Sequence, residues 1–276
     1  MTRLWVLSDL HLEAVPYPQS YRPRRPDFDV LVAAGDIFQG DTRQALRIVA
    51  SLAAGRPSVF VMGNHEYWNG SVPADLEPAR AEALRLGVTL LEGDEVAHCG
   101  LRFLGGTLWA DGWLGGHSVQ QGAPTGEPID ITAGVEGHRP LTNGDAARLH
   151  GLLRTRLESQ LLGEGDRRDV DPRPVVVVTH HAPHPLCVPE HLWGSWTAGN
   201  SASDLSHLTD TGRVDLWIHG HIHRTHSLIR PGGTRIVSNA AGPRASNIDF
   251  LDDLVLSVIP SNDRSVARIR AVAAAC

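Results

Sequence analysis

Short apolar runs alternate with segments of helical periodicity over the first 110 residues of the chain. Apolar runs bounded by Gly, Asp or Asn are typical of buried strands, and apolar residues three or four apart are typical of helices. The pattern predicts strands over residues 4–8, 29–34, 58–62, 88–91, 95–98, 101–104 and 107–110. It predicts helices over 42–54 and 73–86, with Asp41 as an N-cap and Gly87 as a left-handed stop.

The second half of the chain begins with an irregular segment. Residues 111–140 are rich in Gly and Pro and predict a long loop insertion, which is usually functional or mobile. Beyond it we expect helices over 142–162 and 204–208, strands over 175–179 and 214–218, and hairpins over 225–229, 235–238, 254–259 and 266–271. Strands that alternate with helices predict an α/β fold with a sheet covered on both faces. No repeat or linker interrupts residues 1–276, so one domain is expected.

Composition excludes several classes of protein. With 42% hydrophobic and 20% charged residues, the chain is not collagen-like, disordered or a coiled coil. No apolar run approaches the 18 or so residues of a membrane span, and the first residues lack the apolar region of a signal peptide. Cys99, Cys187 and Cys276 show neither metal-site spacing nor a disulfide framework. A cytoplasmic protein without a membrane partner is therefore expected.

Charge argues against a nucleic-acid partner. The net charge is −6, from 31 acidic residues and 25 basic ones, all of which are arginine. Nonspecific affinity for nucleic acid rests on neutralising phosphates, so no stable nucleic-acid partner is expected. The sequence does not determine the oligomeric state. The sequence has an unusually large number of histidines, 15, and their positions indicate which chemistry the protein performs.

Polar side chains follow five of the predicted strands at the point where each strand ends. In α/β proteins, ligands bind in the crevice beyond the carboxyl ends of the strands. Two pairs of these residues are two positions apart, which places both members on one face of an extended backbone. The predicted site therefore collects oxygen and imidazole groups at one sheet edge: Asp9, His11, Asp36, Asn64, His65, His180, His221 and His223.

The ligand types in this set favour transition metals. Without His65, the set offers two carboxylates, one amide oxygen and four imidazoles. These suit divalent Mn, Fe, Zn, Co or Ni, and we favour Mn or Fe. Seven ligands are too many for one open catalytic site. They suit two ions bridged by a carboxylate and roughly 3.5–4 Å apart.

Five short motifs give the chain a family resemblance. D-x-H at 9–11, G-D at 35–36, G-N-H-E at 63–66, H-H-x-P at 180–183 and G-H-x-H at 220–223 occur in the order typical of calcineurin-like metallophosphoesterases, which the chain therefore resembles. The resemblance implies a four-layer α/β/β/α sandwich of two mixed β-sheets flanked by helices, and a dinuclear metal centre. It implies two ligand sets that share one carboxylate: Asp9, His11, Asp36 and His223 for one ion, and Asp36, Asn64, His180 and His221 for the other.

The implied chemistry is hydrolysis of a small phosphodiester or phosphomonoester. Two divalent ions, Asp9, Asp36 and a bridging hydroxide leave the centre with a formal charge of roughly +1, which is complementary to a phosphate ester. The metals lower the pKa of the bridging water, so hydroxide can attack phosphorus in line. His65 follows the ligand Asn64 and is placed to protonate the leaving oxygen as a general acid. His181 is a candidate substrate contact beside Asn64 and His65, or a second-shell residue.

Other functions stay open at this point. Ser/Thr protein phosphatases carry Asp-Arg-Gly after the G-D motif, whereas residues 37–40 here lack the arginine; lipid A-pathway pyrophosphatases have Arg where His65 stands. Both are therefore disfavoured, and a cyclic nucleotide phosphodiesterase remains an alternative. A nuclease would need a basic groove or a stacking platform. A non-catalytic scaffold would be expected to have lost ligands, and none is missing.

Several residues near the motifs allow a structural and a functional interpretation. Glu66 either bonds a ligand histidine or solvates a loop, and His219 is expected to be a buried hydrogen-bonding residue. The arginines at 22–25 either lie in a solvated Pro-rich loop, which we favour, or clamp a phosphate. Surface placement is expected for His184, His191, His207 and His226. Pocket lining is conceivable for Asn200, Ser203 and Asp204, and either core packing or base stacking for Trp109, Trp113, Trp193 and Trp196.

Overall fold

The computed structural model describes residues 1–132, 137–163, 171–259 and 270–272. Its five α-helices within these ranges are α1 (Thr42–Ala53), α2 (Leu76–Leu86), α3 (Asn143–Leu162), α4 (Trp196–Ser201) and α5 (Ser206–Thr209). Its strands are β1 (Thr2–Leu7), β2 (Val30–Ala33), β3 (Ser58–Phe60), β4 (Ser71–Val72), β5 (Thr89–Leu90), β6 (Glu95–His98), β7 (Leu101–Gly106), β8 (Asp130–Thr132), β9 (His138–Pro140), β10 (Val175–Thr179), β11 (Leu216–His219), β12 (Thr225–Ile229), β13 (Arg235–Asn239), β14 (Val255–Val258) and β15 (Arg270–Val272).

These strands form two large mixed sheets. The first has the order β15-β14-β1-β2-β3-β5, in which β1, β2, β3 and β5 are parallel and β14 and β15 are antiparallel additions. The second has the order β12-β13-β11-β10-β7-β6, in which the four central strands are parallel. Parallel strands point their carboxyl ends to one edge, so each sheet can present several loops there.

Successive side chains of the central strands point to opposite faces of their sheet, and the apolar clusters on these faces define the layers of the molecule. In β1, Leu4 and Val6 belong to the apolar cluster between the two sheets, together with Phe103 and Val176 of the second sheet. Trp5 faces the other way and joins a cluster with residues of α1 and α2. On the far side, β10 and β11 share a third cluster with α3. Three apolar clusters therefore separate four layers, and the predicted α/β/β/α sandwich is confirmed.

The helix ends follow their predicted signals. Asp41 accepts a hydrogen bond from the amide of Gln44 at 2.9 Å and begins α1, and Gly87 ends α2 with a φ of 71°. Helix α3 begins with a capping box between Thr142 and Asp145. Both caps satisfy amide groups that a helix terminus leaves without partners. None of the helices in the described part of the chain combines the length and apolarity needed to cross a bilayer.

Two expectations about local structure were wrong, and one extends beyond the described residues. Residues 107–110 do not form a strand, because Leu108 and Trp109 have φ values of 69° and 51°, which extended backbone excludes. The insertion at 111–140 is not simply irregular, because β8 pairs with β4, and β9 pairs with β8, in a small third sheet. For the hairpin predicted over 266–271, only 270 and 271 are described, and they belong to β15.

Candidate metal centre

The predicted ligands gather where the parallel strands end. Asp9 follows β1, Asp36 follows β2, and His180 directly follows β10. The backbone turns sharply at five of the ligands, with φ between 44° and 68°: Asp9, His11, Asp36, His221 and His223. This left-handed region is uncommon for residues other than glycine, although Asp and His are enriched in it, and it costs on the order of 1–3 kcal/mol per residue. Strain of this kind is concentrated at functional sites.

One group of ligand atoms surrounds the end of β1. The Nε2 atoms of His11 and His223 lie 3.3 Å apart, and His223 Nε2 lies 3.2 Å from Asp9 Oδ1. Asp9 and His11 are fully buried, whereas about a third of the His223 side chain is exposed. Imidazole nitrogens that face each other at this spacing present their lone pairs to a common point, as the ligands of one ion do.

A second group lies beside the first and shares Asp36 with it. Asp36 Oδ2 is 3.2 Å from His180 Nε2 and 3.7 Å from His11 Nε2. Asn64 Oδ1 lies 2.9 Å from His180 Nε2 and 3.1 Å from His221 Nδ1. Asp36 is thus the carboxylate that reaches both groups. Among the described residues, Asp36 also forms a ligand-type cluster with His11 and His65, although His65 was not expected to bind metal.

The electrostatics of the two groups are those of a cation site. Burial lowers the pKa of His180, but the adjacent carboxylate of Asp36 outweighs this effect and raises the pKa to about 10. Burial likewise opposes protonation of His11, yet the hydrogen bond to Glu13 and the charge of Asp36 raise its pKa to about 9. These imidazoles therefore hold protons where a metal would bind, and divalent ions displace such protons on binding. The donor types and their spacing fit two transition-metal ions.

The chain matches a known family over most of its length. A model of the calcineurin-like phosphoesterase family matches residues 2–225. The chain belongs to this family. No match was found among curated proteins. Solved structures support the same fold, including a phosphopantetheinyl hydrolase from Mycobacterium tuberculosis (19% identity, 88% of this chain and 90% of that chain covered, TM-score 0.61) and a dimetal phosphatase from Danio rerio (17%, 92% and 92%, TM-score 0.50).

Family membership makes the protein a metal-dependent phosphoester hydrolase that uses divalent ions. At the strand ends, two of the sequence motifs place backbone atoms where a side chain would not fit. A Cβ at Gly35, where φ is 87°, would lie 2.7 Å from the amide nitrogen of Gly63. A Cβ at Gly63 would lie 2.7 Å from the ring of His180. The glycines of the G-D and G-N-H-E motifs are therefore needed for packing around the predicted metal ligands.

Glu66 neither bonds a ligand histidine nor solvates a loop, the two alternatives expected from the sequence. Its buried carboxylate accepts hydrogen bonds from four backbone amides, at 2.6–3.2 Å, in the loops that follow β2 and β3: Asp36, Ile37, Phe38 and Gly63. Burial and the nearby Asp36 carboxylate raise the pKa of Glu66 to about 7, although the amide hydrogen bonds oppose the shift. Glu66 therefore ties the Asp36 loop to the Asn64 loop.

Other groups orient two of the histidines predicted to bind metal. His180 Nδ1 donates to the carbonyl oxygen of Ala34 at 2.8 Å. His11 Nδ1 lies 3.0 Å from the carboxylate of Glu13, which also accepts from the amide of Gln39 at 2.9 Å. Such contacts on the second ring nitrogen set the tautomer and leave Nε2 for the metal. Sequence reasoning missed Glu13, although its position two residues after His11 was a usable signal.

Two further histidines of the predicted site lie at its edge. His65 Nδ1 is 3.1 Å from Gln39 Oε1, and its ring stacks on Trp68 with centroids 4.1 Å apart. Burial lowers the pKa of His65, while Asp36 opposes the shift. His181 is buried and packs against His221, with ring centroids 4.2 Å apart, and its Nδ1 lies 3.2 Å from the Thr107 carbonyl oxygen.

Several secondary expectations can be compared with the structure. His219 is buried and hydrogen-bonded, as expected: its Nε2 lies 3.0 Å from His226 Nε2, and both face Cys187 in a further group of ligand types. His191 and His207 are exposed, as expected. The surface placement of His184 was wrong because its ring packs into the fold and accepts from the Leu186 amide, and His226 is half-buried by His219.

The arginine-rich segment lies in a loop that contacts its own chain. Arg24 pairs with Asp253 at 3.4 Å, and Arg25 donates to the carbonyl oxygen of Ser51. Arg22 and both of these arginines are exposed. The favoured interpretation, a solvated loop, therefore describes the structure better than a phosphate clamp does.

The residues weighed as pocket lining separate into two cavities. Asn200, Trp109 and Trp196 line a cavity beside the metal ligands. Asp204, Trp113 and Trp193 line another cavity with His184. Ser203 is buried and accepts a hydrogen bond from the amide of Asp111.

Proposed function

We propose that the protein hydrolyses a small phosphodiester or phosphomonoester at a dinuclear centre, with Mn or Fe as the favoured ions. The observation that carries the proposal is the position of Asp36, whose Oδ2 lies within 3.7 Å of His11 Nε2 and within 3.2 Å of His180 Nε2. Asp36 would bridge two ions. Asp9, His11 and His223 would complete one ligand set, and Asn64, His180 and His221 would complete the other. When bound, the ions supply Lewis acidity and an activated water.

The proposed general acid is His65, and its neighbours fix the position of its ring. The His65 amide donates to Asp36 Oδ1 at 2.9 Å, which ties His65 to the bridging carboxylate. Its Nδ1 is hydrogen-bonded to Gln39, so Nε2 is the nitrogen for proton transfer. The stack on Trp68 restricts rotation of the ring. In this proposal His65 Nε2 donates a proton to the leaving oxygen, an effect that typically contributes about 10²–10⁴-fold.

Asn64 and His181 would contact the substrate. Asn64 joins the second ligand group through Oδ1, and it also lines the cavity beside the centre, together with His181 and His221. Burial lowers the pKa of His181 to about 3, so its ring is neutral near pH 7. A neutral ring with Nδ1 on the Thr107 carbonyl presents a polar but uncharged wall to the ester.

One panel of substrates tests the proposal. Protein reconstituted with Mn²⁺ is assayed on an aryl phosphomonoester, an aryl phosphodiester, cyclic mononucleotides, single-stranded DNA and a protein that carries a phosphopantetheinyl group. The last is included because the chain shares its fold with a hydrolase of that name. We expect turnover of small esters and about two metal ions per chain. Turnover of DNA alone, or no turnover of any ester with both ions bound, would overturn the proposal.

A further inference from the structure

A cavity of about 200 Å³ adjoins the second ligand group. It shares Asn64, His181 and His221 with the candidate centre, so a molecule held at the centre can extend into it. The remaining walls come from the segment after β7, from the insertion, from α3 and from α4, and include Trp109, Thr125, Glu127, Ala146, Trp196, Thr197 and Asn200. Neither the proposed metal chemistry nor the proton transfer requires this space.

Two indole rings are the largest apolar groups of the cavity wall. Trp109 is 5% exposed and lies against His181, with ring centroids 5.6 Å apart. Trp196 belongs to α4 and is 45% exposed. Indole faces pack against flat or alkyl groups, and their negative faces attract cations, including quaternary ammonium groups.

Glu127 supplies the charge of the cavity. Among its described lining residues, Glu127 is the one carboxylate, and no arginine is present; the chain contains no lysine. Glu127 Oε2 accepts from Asn64 Nδ2 at 3.0 Å and also accepts from Trp68 Nε1. Both donors are neutral, so they fix the position of the carboxylate without cancelling its negative charge. The side chain is half-buried, where charges are screened less than at the open surface.

We propose that this cavity receives the alcohol portion of the phosphoester, and that Glu127 makes it select neutral or cationic groups over anionic ones. The proposal rests on the proposed function, because it assumes hydrolysis at the adjoining centre. A second anionic group would meet Glu127 with no cationic side chain of the wall to neutralise it. A cationic group would be attracted by the carboxylate and by the indole faces together.

Three para-substituted phenyl phosphate esters test the selection. They carry a para substituent that is cationic (trimethylammonium), neutral (tert-butyl) or anionic (carboxylate), and the first two are nearly isosteric. We expect kcat/KM to fall in that order. In Glu127→Gln the ratio of kcat/KM for the cationic ester to that for the neutral ester should fall about three- to tenfold.

The matched control is Asp130→Asn, which removes one negative charge from the same insertion outside the cavity lining. In this control, the ratio of kcat/KM for the cationic ester to that for the neutral ester should equal the ratio in the unmodified protein. Equal ratios in Glu127→Gln, Asp130→Asn and the unmodified protein would overturn the proposal, as would a preference of the unmodified protein for the anionic ester. Because Glu127 also holds Asn64, absolute activity is expected to fall, but this loss is common to all three esters and cancels in the ratio.

A second variant tests the location without changing any charge. Thr197 is an exposed wall residue on α4, so Thr197→Trp should fill the cavity without disturbing the core. We expect KM for the tert-butyl ester to rise about tenfold more than KM for the unsubstituted phenyl ester. Equal effects on both esters would place the alcohol portion elsewhere. If no ester is turned over, the proposed function fails; if esters are turned over but neither variant changes selection, only the assignment of this cavity fails.

Discussion

The strand-end loops and the insertion contribute to the site in different ways. Asp9, Asp36 and His180 are at most 1% exposed. Backbone hydrogen bonds join the loops that carry Asp9 and Asp36, and the His180 side chain donates to the carbonyl oxygen of Ala34, directly after β2. Glu127, in the insertion, and Trp196, at the start of the short helix α4, line the adjoining cavity and are partly exposed. Rigid elements hold reactive groups accurately, whereas loops change readily without loss of the fold. The contrast suggests that the strand ends set the chemistry and the insertion sets the selection.

Removing the shared carboxylate should have the largest effect. Asp36→Asn takes away the charge that reaches both ligand groups, so we expect loss of bound metal and a fall in kcat of about a thousandfold or more. Metal content by elemental analysis and turnover of an aryl ester provide the measurement. The contrast between the regions predicts a far smaller loss for Glu127→Gln. Retention of two ions and of activity in Asp36→Asn would show that Asp36 is not a bridging ligand.

Changing the proposed general acid should separate proton transfer from metal binding. His65→Ala should keep the metal content but lose about 10²–10⁴-fold in kcat towards esters with poor leaving groups. Esters with good leaving groups need little protonation and should lose much less. A uniform loss for both classes of ester, or loss of the ions, would assign His65 to metal binding, which its position beside His11 and Asp36 also permits.

Weakening the link that Glu66 makes between two strand-end loops tests whether this link positions the predicted metal ligands. Glu66→Gln replaces carboxylate oxygens that face four amide groups with one oxygen and one NH₂ group. We expect metal affinity to fall about 10–100-fold, as for other residues that support ligands. Titration with Mn²⁺ measures this affinity. The control is Glu158→Gln in α3, whose carboxylate pairs with Arg154 and His207 and belongs to neither ligand group. Unchanged affinity would mean that the ligands are positioned without this carboxylate.

A carboxyl group outside the ligand set should affect stability alone. Glu92 accepts from the amide and hydroxyl of Thr107, both at 2.9 Å, and burial raises its pKa from an ordinary 4.5 to about 7. Because the folded state holds this proton to higher pH, the contribution of Glu92 to stability falls as pH rises from about 4.5 to about 7. Glu92→Gln should therefore match the unmodified protein near pH 4 and be about 1–3 kcal/mol more stable at pH 8.

Thermal unfolding of the metal-free protein at the two pH values measures the Glu92 effect. The steady-state activity of Glu92→Gln with Mn²⁺ should be unchanged, because Glu92 is not a member of either ligand group. A stability difference that is the same at both pH values would show that Glu92 does not titrate in this range.

Much of the architecture was predictable because it depends on local patterns. Apolar runs predicted the central strands, and alternating elements predicted the mixed sheets, since burial on both faces leaves a strong compositional signal. The candidate ligands were identified for the same reason: each follows a strand, and parallel strands end at one edge. The structure brings these residues together, and their roles as ligands stay predictions that the metal measurements test.

Contacts between distant segments were decided only by the tertiary structure. No sequence pattern connects Glu127 to Asn64, which lies 63 positions earlier, because the contact depends on how the insertion folds across the sheet edge. The sequence predicted a strand at Leu108 and Trp109, yet the chain turns there with both side chains buried, so packing overrides their preference for extended backbone. Local patterns thus determined which side chains lie at the strand ends. Long-range packing determined which residues surround those side chains, because a pattern of buried apolar residues specifies the layers of the fold but not which distant segments touch.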